Sequence, residues 1–327
     1  MKNIQADIKS GNFKQVYLLY GEEAYLKQQY KQNLVKALNP DGDTMNFNHY
    51  EGKGIDVKQL IDLCETMPFF AERRVVLLED TGFFKNKCEE LADYMKELPD
   101  YLYLVFAETE VDKRNRMYKA VKACGSIAEF IRQDEKTLMR WAAGILGKAG
   151  KKITQRDMEL LLTKTGTDMG NLRMEMEKLI SYTEGRDVVT AEDIEEICTT
   201  QTTNRIFDMV RAVTEKNQKR ALELYYDLLT LKEPPMRILF LLAKQYRQLL
   251  LAKQFAAAGL AQTEIASKLG VPGFVVRNIT TCARAYTISE LEQAVKDFVD
   301  AEESVKTGRL EDKLSVELLI IKYLSLI

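Results

Sequence analysis

Histidine is nearly missing from this chain: His49 is the single one in 327 residues. It falls in a predicted strand with no Ser, Cys or carboxylate constellation around it, so a structural role is expected there rather than catalysis. Cysteine is sparse too. Cys64, Cys88, Cys124, Cys198 and Cys282 are scattered, odd in number and never spaced as CxxC. That pattern excludes a disulfide framework and gives no metal motif, and it points to a reducing cytoplasm. Charge of one sign is lacking as well. With 47 Lys and Arg against 49 Asp and Glu, the net charge is −2 and the isoelectric point about 5.8. No global basic field advertises nucleic acid, so any DNA contact has to be local or shared with other subunits. Long apolar runs are absent: residues 238–243 are far too short to span a bilayer, and residues 1–8 lack the apolar core of a secretion signal. A soluble cytoplasmic protein without membrane association is expected.

The most telling absence is a phosphate cradle. Residues 16–20 read as a buried first strand that Gly21 turns toward a helix beginning near Glu22. A P-loop NTPase carries G-x-x-x-x-G-K-[ST] at that turn. Here the chain runs Gly21, Glu22, Glu23, Ala24, Tyr25, Leu26, Lys27, with one glycine and two carboxylates that would repel a triphosphate. The frame of a nucleotide switch is present without its ligands.

What is there is ample core material, 46% hydrophobic residues with 29% charged, in a length suited to two or three domains. Up to about residue 130, apolar runs of strand length alternate with helical patterns, which implies a doubly wound α/β domain with a parallel sheet. Strands are expected at 16–20, 45–50, 73–79, 101–107 and 126–130, and helices at 22–38, 56–66, 84–98 and 113–123. Val57, Leu60, Ile61 and Cys64 form the i, i+3, i+4, i+7 stripe of the second helix. After Phe130 the strands stop. Leu138, Trp141, Ala142, Ile145 and Leu146 share one helix face, and Thr154 with Asp157 and Thr190 with Asp193 have capping-box spacing. Three domains are expected: 1–133 α/β, 134–200 small and helical, 201–327 helical. The polar stretch 201–204 reads as a linker. Further helices are expected at 206–214, 218–230, 236–258, 262–269, 275–285, 289–304 and 313–326. The helix after Pro234 and Pro235 is apolar on two sides, which suggests burial against partner chains besides its own core.

Several motifs carry competing readings. Val75, Val76, Leu77, Leu78, Glu79 and Asp80 imitate a Walker B strand, but such a strand running into a polar turn is common, and without a P-loop a magnesium ion would have nothing to bridge. The basic clusters Arg73–Arg74, Lys113, Arg114 and Arg116, and Lys151–Lys152 read as solvated faces. Ala266, Gly270 and Val276 have helix-turn-helix spacing, yet the second helix would start on Pro272, Gly273, Phe274, Val275 and Val276, too apolar to read base edges. A packed hairpin is favoured over DNA reading. Met67, Pro68, Phe69 and Phe70 follow the second helix. Neighbours on a helix do not share a face, so either one Phe is buried and one covers the sheet edge, or the pair is an exposed plug for a partner's pocket.

Residues 17–26, 67–76, 165–179, 242–250, 301–308 and 317–320 carry, in order and spacing, a resemblance over essentially the whole length to the delta subunit of the bacterial DNA polymerase III clamp loader. The resemblance implies an AAA+-like pair of domains followed by a helical collar, with no P-loop, no ATP hydrolysis and no cofactor. It implies binding to the ring-shaped sliding clamp and holding one clamp interface open, inside a hetero-pentamer joined through residues 201–327. Primer-template DNA would be met through that complex. The family's clamp-binding element falls on Met67, Pro68, Phe69 and Phe70. The chain departs from it at Phe69, an aromatic after proline where an aliphatic residue is expected. The competing classes are an AAA+-type ATPase and a helix-turn-helix DNA-binding protein.

Overall fold

A computed structural model describes residues 2–200 and 202–326, apart from the side chains of Lys2, Thr203, Phe274 and Leu326. It divides into two compact units, Met1–Gln133 and Asp134–Ile327. The first contains α1 (Lys2–Ser10), β1 (Val16–Tyr20), α2 (Ala24–Leu38), β2 (Phe47–Glu51), α3 (Val57–Glu65), β3 (Arg74–Glu79), α4 (Glu89–Tyr94), β4 (Leu102–Glu108), α5 (Arg116–Cys124) and β5 (Ser126–Glu129). The five strands form one parallel sheet in the order β2-β3-β4-β1-β5. This is the AAA+-like α/β domain expected.

Alternation along the strands builds a core on each face. Val16, Leu18 and Tyr20 of β1 join Leu60 and Cys64 of α3, Leu91 of α4, and Met117 and Val121 of α5. Tyr17 and Leu19 point the other way, toward Ile4 of α1 and Leu34 and Leu38 of α2. Because β1 is buried on both sides, it reads as an unbroken apolar run. The chain leaves β1 for β2 past β4 and β3, and later crosses β1 to reach β5. The sheet therefore has its switch point at the carboxyl ends of β1 and β4, where α/β folds bind ligands.

Three local expectations are corrected here. The helix expected at 84–98 is only Glu89–Tyr94. Phe83 and Phe84 lie in a turn closed by the amides of Lys85 and Asn86 on the Gly82 carbonyl, and Phe84 is fully buried. Its hydrophobicity serves the core from a loop. The helix α1 was not expected, since Ile4 and Ile8 are its apolar residues and the rest of the segment is polar. In the second unit the strands do not wholly stop after Phe130.

That unit contains α6 (Glu135–Lys148), β6 (Lys152–Ile153), α7 (Gln155–Thr165), α8 (Met169–Tyr182), β7 (Val188–Val189), α9 (Ala191–Ile197), α10 (Thr202–Thr214), α11 (Gln218–Thr230), α12 (Pro235–Ala257), α13 (Gln262–Leu269), α14 (Gly273–Ala283), α15 (Ile288–Lys306) and α16 (Asp312–Leu326). The two-residue ladder of β6 and β7 is parallel. Thr190 and Asp193 form the expected capping box on α9, and Thr154 caps α7 through the Asp157 amide. One hydrophobic cluster gathers Leu146, Leu161, Leu172, Met176 and Ile194. A second gathers Met209, Tyr225, Leu242, Tyr246, Phe298 and Tyr323. The expected linker is mostly helix, since Thr202 already begins α10; Gln201 lies outside the described residues. The long helix α12 packs against α10, α13, α14, α15 and α16 of its own chain, so its two apolar sides are largely consumed internally. Phe240 stays exposed.

Candidate functional site

At the carboxyl end of β1 the backbone is closed on itself. Gly21 has φ of +123°, and a Cβ there would lie 2.3 Å from the Phe130 carbonyl oxygen. The Phe130 amide donates to the Tyr20 carbonyl at 2.7 Å, and the Glu23 amide donates to the Phe130 carbonyl at 2.9 Å. An amide that a P-loop would aim at phosphate is thus already spent on Phe130, the residue after β5. Glu23, the buried N-cap of α2, puts a carboxylate where the helix dipole would favour a phosphate. Glu22 projects outward and pairs with Arg132 at 3.4 Å.

The neighbouring strand ends are equally self-satisfied. Glu79, the acid of the Walker B-like run, takes Lys31 at 2.5 Å and His49 at 2.9 Å. His49 thus has a carboxylate partner that the sequence pattern did not place beside it. Asp80 accepts the Thr109 amide at 2.9 Å. Glu108 is 2% exposed and accepts the Thr81 amide and hydroxyl at 3.1 and 2.6 Å. Burial raises its pKa against these hydrogen bonds. Lys27 donates to the Glu108 carbonyl at 2.9 Å, and burial lowers its pKa. Among the described residues, no group of three His, Cys, Asp or Glu side chains is placed to hold a metal.

The opposite, amino-terminal edge of the sheet presents Met67, Pro68, Phe69 and Phe70, between α3 and β3. Met67, Phe69 and Phe70 are 74%, 56% and 95% exposed, so of the two readings both rings stand in solvent. They meet edge to face with centroids 4.5 Å apart. The backbone beneath them is clamped. The buried Asn46 accepts the Phe69 amide at 2.7 Å and donates to the Phe69 carbonyl at 2.8 Å. Arg74 donates to the Thr66 carbonyl at 2.8 Å and the Met67 carbonyl at 3.3 Å, and reaches Asn48 at 3.2 Å. Phe70 has φ of +50°, a left-handed conformation that costs a bulky residue about 1–3 kcal/mol. A rigid loop thus holds two aromatic rings in water, which is the form of a binding anchor.

Sequence reading missed both clamping residues. Asn46 sat inside an expected strand, and Arg74 was grouped with a solvated basic cluster. Arg74 is in fact 5% exposed, and Arg73 lies over the rings of Phe13 and Tyr103 at 5.3 and 5.4 Å. Lys151 likewise donates to the Thr183 and Arg186 carbonyls, both at 2.6 Å. Lys113, Arg114 and Arg116 do stand on a solvated face, their side chains 55%, 91% and 51% exposed, with Lys113 paired to Glu129 at 2.8 Å. No sequence signal separates the structural Arg73, Arg74 and Lys151 from these solvated cations.

The hairpin of α13 and α14 turns at Gly270, which has φ of +65°. Val276 is fully buried and Val275 half-buried, so the apolar start of α14 serves the core. The side chain of Phe274 lies outside the described residues. Arg277, exposed on the outer face, reaches Glu159 at 3.8 Å.

Two features define the class: an AAA+-like sheet domain with a closed nucleotide turn, and a helical unit after it. Residues 17–130 match the family model described as DNA polymerase III, delta subunit. Residues 203–323 match DNA polymerase III delta subunit, C-terminal domain. Together the two cover more than two thirds of the sequence, in the same order, and the chain belongs to the delta-subunit family of the DNA polymerase III clamp loader. The DNA polymerase III subunit delta of Bacillus subtilis is 26% identical over 98% of this chain and 96% of its own length. The probable DNA polymerase III subunit delta of Aquifex aeolicus is 22% identical, over 78% of this chain and 75% of its own. The solved Bacillus subtilis DNA clamp loader delta protein superposes with a TM-score of 0.68 at 24% identity, covering 99% of both chains, which speaks for the shared fold.

Proposed function

We propose that this chain is a non-catalytic subunit of the cytoplasmic clamp loader that binds a sliding clamp and helps to hold it open. Met67, Pro68, Phe69 and Phe70 would insert into an apolar pocket on the clamp. Residues 201–327 would form the collar that joins the other loader subunits, with residues 134–200 as a small domain before it. Primer-template DNA would be met through the assembled complex. The observation that carries this reading is the pair of adjacent phenylalanines, both exposed, on a loop whose backbone is pinned by two buried polar side chains.

Burying two Phe side chains supplies roughly 3–6 kcal/mol before the costs of association. Binding alone does not open a ring. Opening follows only if the subunit prefers the open clamp, because equal affinity for both forms shifts no equilibrium. The closed turn at Gly21 supports leaving ATP to neighbouring subunits: Glu22 and Glu23 stand where phosphate charge would have to be neutralised.

The test is the double substitution Phe69→Ala with Phe70→Ala. Clamp affinity, measured by surface plasmon resonance on the purified chain, should fall by at least a hundredfold, roughly 2.7 kcal/mol. The thermal unfolding midpoint and entry into the loader should be retained. Unchanged clamp affinity would refute the assignment.

A further inference from the structure

Asn46 is 3% exposed, and its whole carboxamide is committed to one task. Its oxygen accepts the Phe69 amide at 2.7 Å. Its nitrogen donates to the Phe69 carbonyl at 2.8 Å and to Asp43 Oδ2 at 2.6 Å. Its own carbonyl accepts the Val75 amide at 2.9 Å, at the start of the ladder between β2 and β3. One side chain therefore imitates an extra strand residue. It joins the aromatic loop to the rigid edge of the sheet, 23 residues away in sequence. Asp43 helps to orient the carboxamide: exchanging its oxygen and nitrogen would lose both contacts to Phe69, and the bond to Asp43 as well.

We infer that Asn46 is a positioning residue for clamp binding, fixing Phe69 in its inserting geometry before the partner arrives. The inference rests on the reading of Phe69 and Phe70 as the clamp anchor. A loop already in its bound conformation avoids the ordering cost of association. A loop that samples other conformations binds more weakly in proportion to its competent fraction. Met45, next in the chain and 64% exposed, is carried on the same stitched segment.

Asn46→Ala in the full chain removes both contacts to Phe69. Binding to the clamp should weaken by roughly tenfold, about 1.4 kcal/mol, mainly through slower association. In the free protein, hydrogen exchange at the Phe69 amide should accelerate while the amides of β1 keep their protection. Asp43→Ala, which leaves the Asn46 side chain in place, should give about a threefold loss with the same exchange signature. It also carries the test if Asn46→Ala does not fold. A freed Phe69 amide with unchanged clamp affinity overturns the inference, and so does weaker binding with the amide still protected. Full clamp binding by the Phe69→Ala, Phe70→Ala protein would instead overturn the anchor reading itself, whatever Asn46 does.

Discussion

Phe70 is the residue at which strain and exposure coincide. At 95% exposure its ring gains almost nothing from the folded protein, and at φ of +50° its backbone is in a region that suits glycine. A residue kept under those two penalties is stabilised by its surroundings, here the pinned carbonyls and amide on either side of Pro68. Replacing it by glycine and by alanine separates backbone from side chain. Phe70→Gly should be more stable than Phe70→Ala by about 1 kcal/mol in urea unfolding, because alanine keeps the strain and glycine relieves it. Both should bind the clamp far more weakly than the parent protein. Equal stability of the two variants would mean the left-handed conformation is not held in solution. Gly21 is the complementary case, where the positive φ and the closeness of Phe130 together require glycine and seal the turn.

Among elements, one ionised carboxylate bridges α15 and α16 beside their shared apolar core. Asp297 of α15 accepts Lys322 at 2.6 Å and Gln293 at 3.0 Å, and takes the Tyr323 hydroxyl as well. Burial works against its charge, but these partners outweigh it and its pKa is lowered. A lowered folded-state pKa contributes stability that is present above the unfolded value and lost as pH falls through the folded one. Asp297→Asn should therefore flatten the loss of stability between about pH 5 and pH 2, the window in which carboxylates protonate, and cost stability near neutrality. Unfolding midpoints with the same pH slope in both proteins would show that Asp297 is not the responsible group.

The elements also show what was legible beforehand. All five sheet strands could be read: burial on both faces leaves β1, β3 and β4 mostly apolar, as in Val16 to Tyr20, while the partly exposed β2 and β5 were readable from their place between helical patterns. The helix of the second unit that starts at Pro235 was readable from its two prolines, the first holding the extended conformation that precedes a helix. The helix α1 was not, since two isoleucines four residues apart make too short a stripe. Nor was the ladder of β6 and β7, two residues on each side. At the candidate site the exposed pair was visible as an oddity, two aromatics that could not share a core. Its support was invisible, because Asn46 and Arg74 act through backbone atoms brought together only by the fold.

On the scale of the whole molecule, the first unit presents different features at the two ends of one sheet: a closed turn at the carboxyl edge and an exposed aromatic pair at the amino edge. The second unit carries a further apolar surface on α16. Leu314, Leu318 and Ile321, at i, i+4 and i+7, are 44%, 48% and 37% exposed, opposite the buried Val316, Ile320 and Tyr323. Tyr226 of α11, itself half exposed, borders this stripe by donating to Glu317 at 2.9 Å. A helix apolar on both sides, with one side in water, is suited to packing against helices of other subunits. On the proposed collar role, Leu314→Glu with Leu318→Glu should leave stability within about 0.5 kcal/mol, since both positions are on the surface. Clamp affinity of the isolated chain should be unchanged, because Phe69 and Phe70 are untouched. What should fail is co-elution with the remaining loader subunits in gel filtration, as two carboxylates would be buried without partners. A loader that assembles normally with these substitutions would move the subunit interface to another face of residues 201–327 and leave the clamp anchor standing on its own.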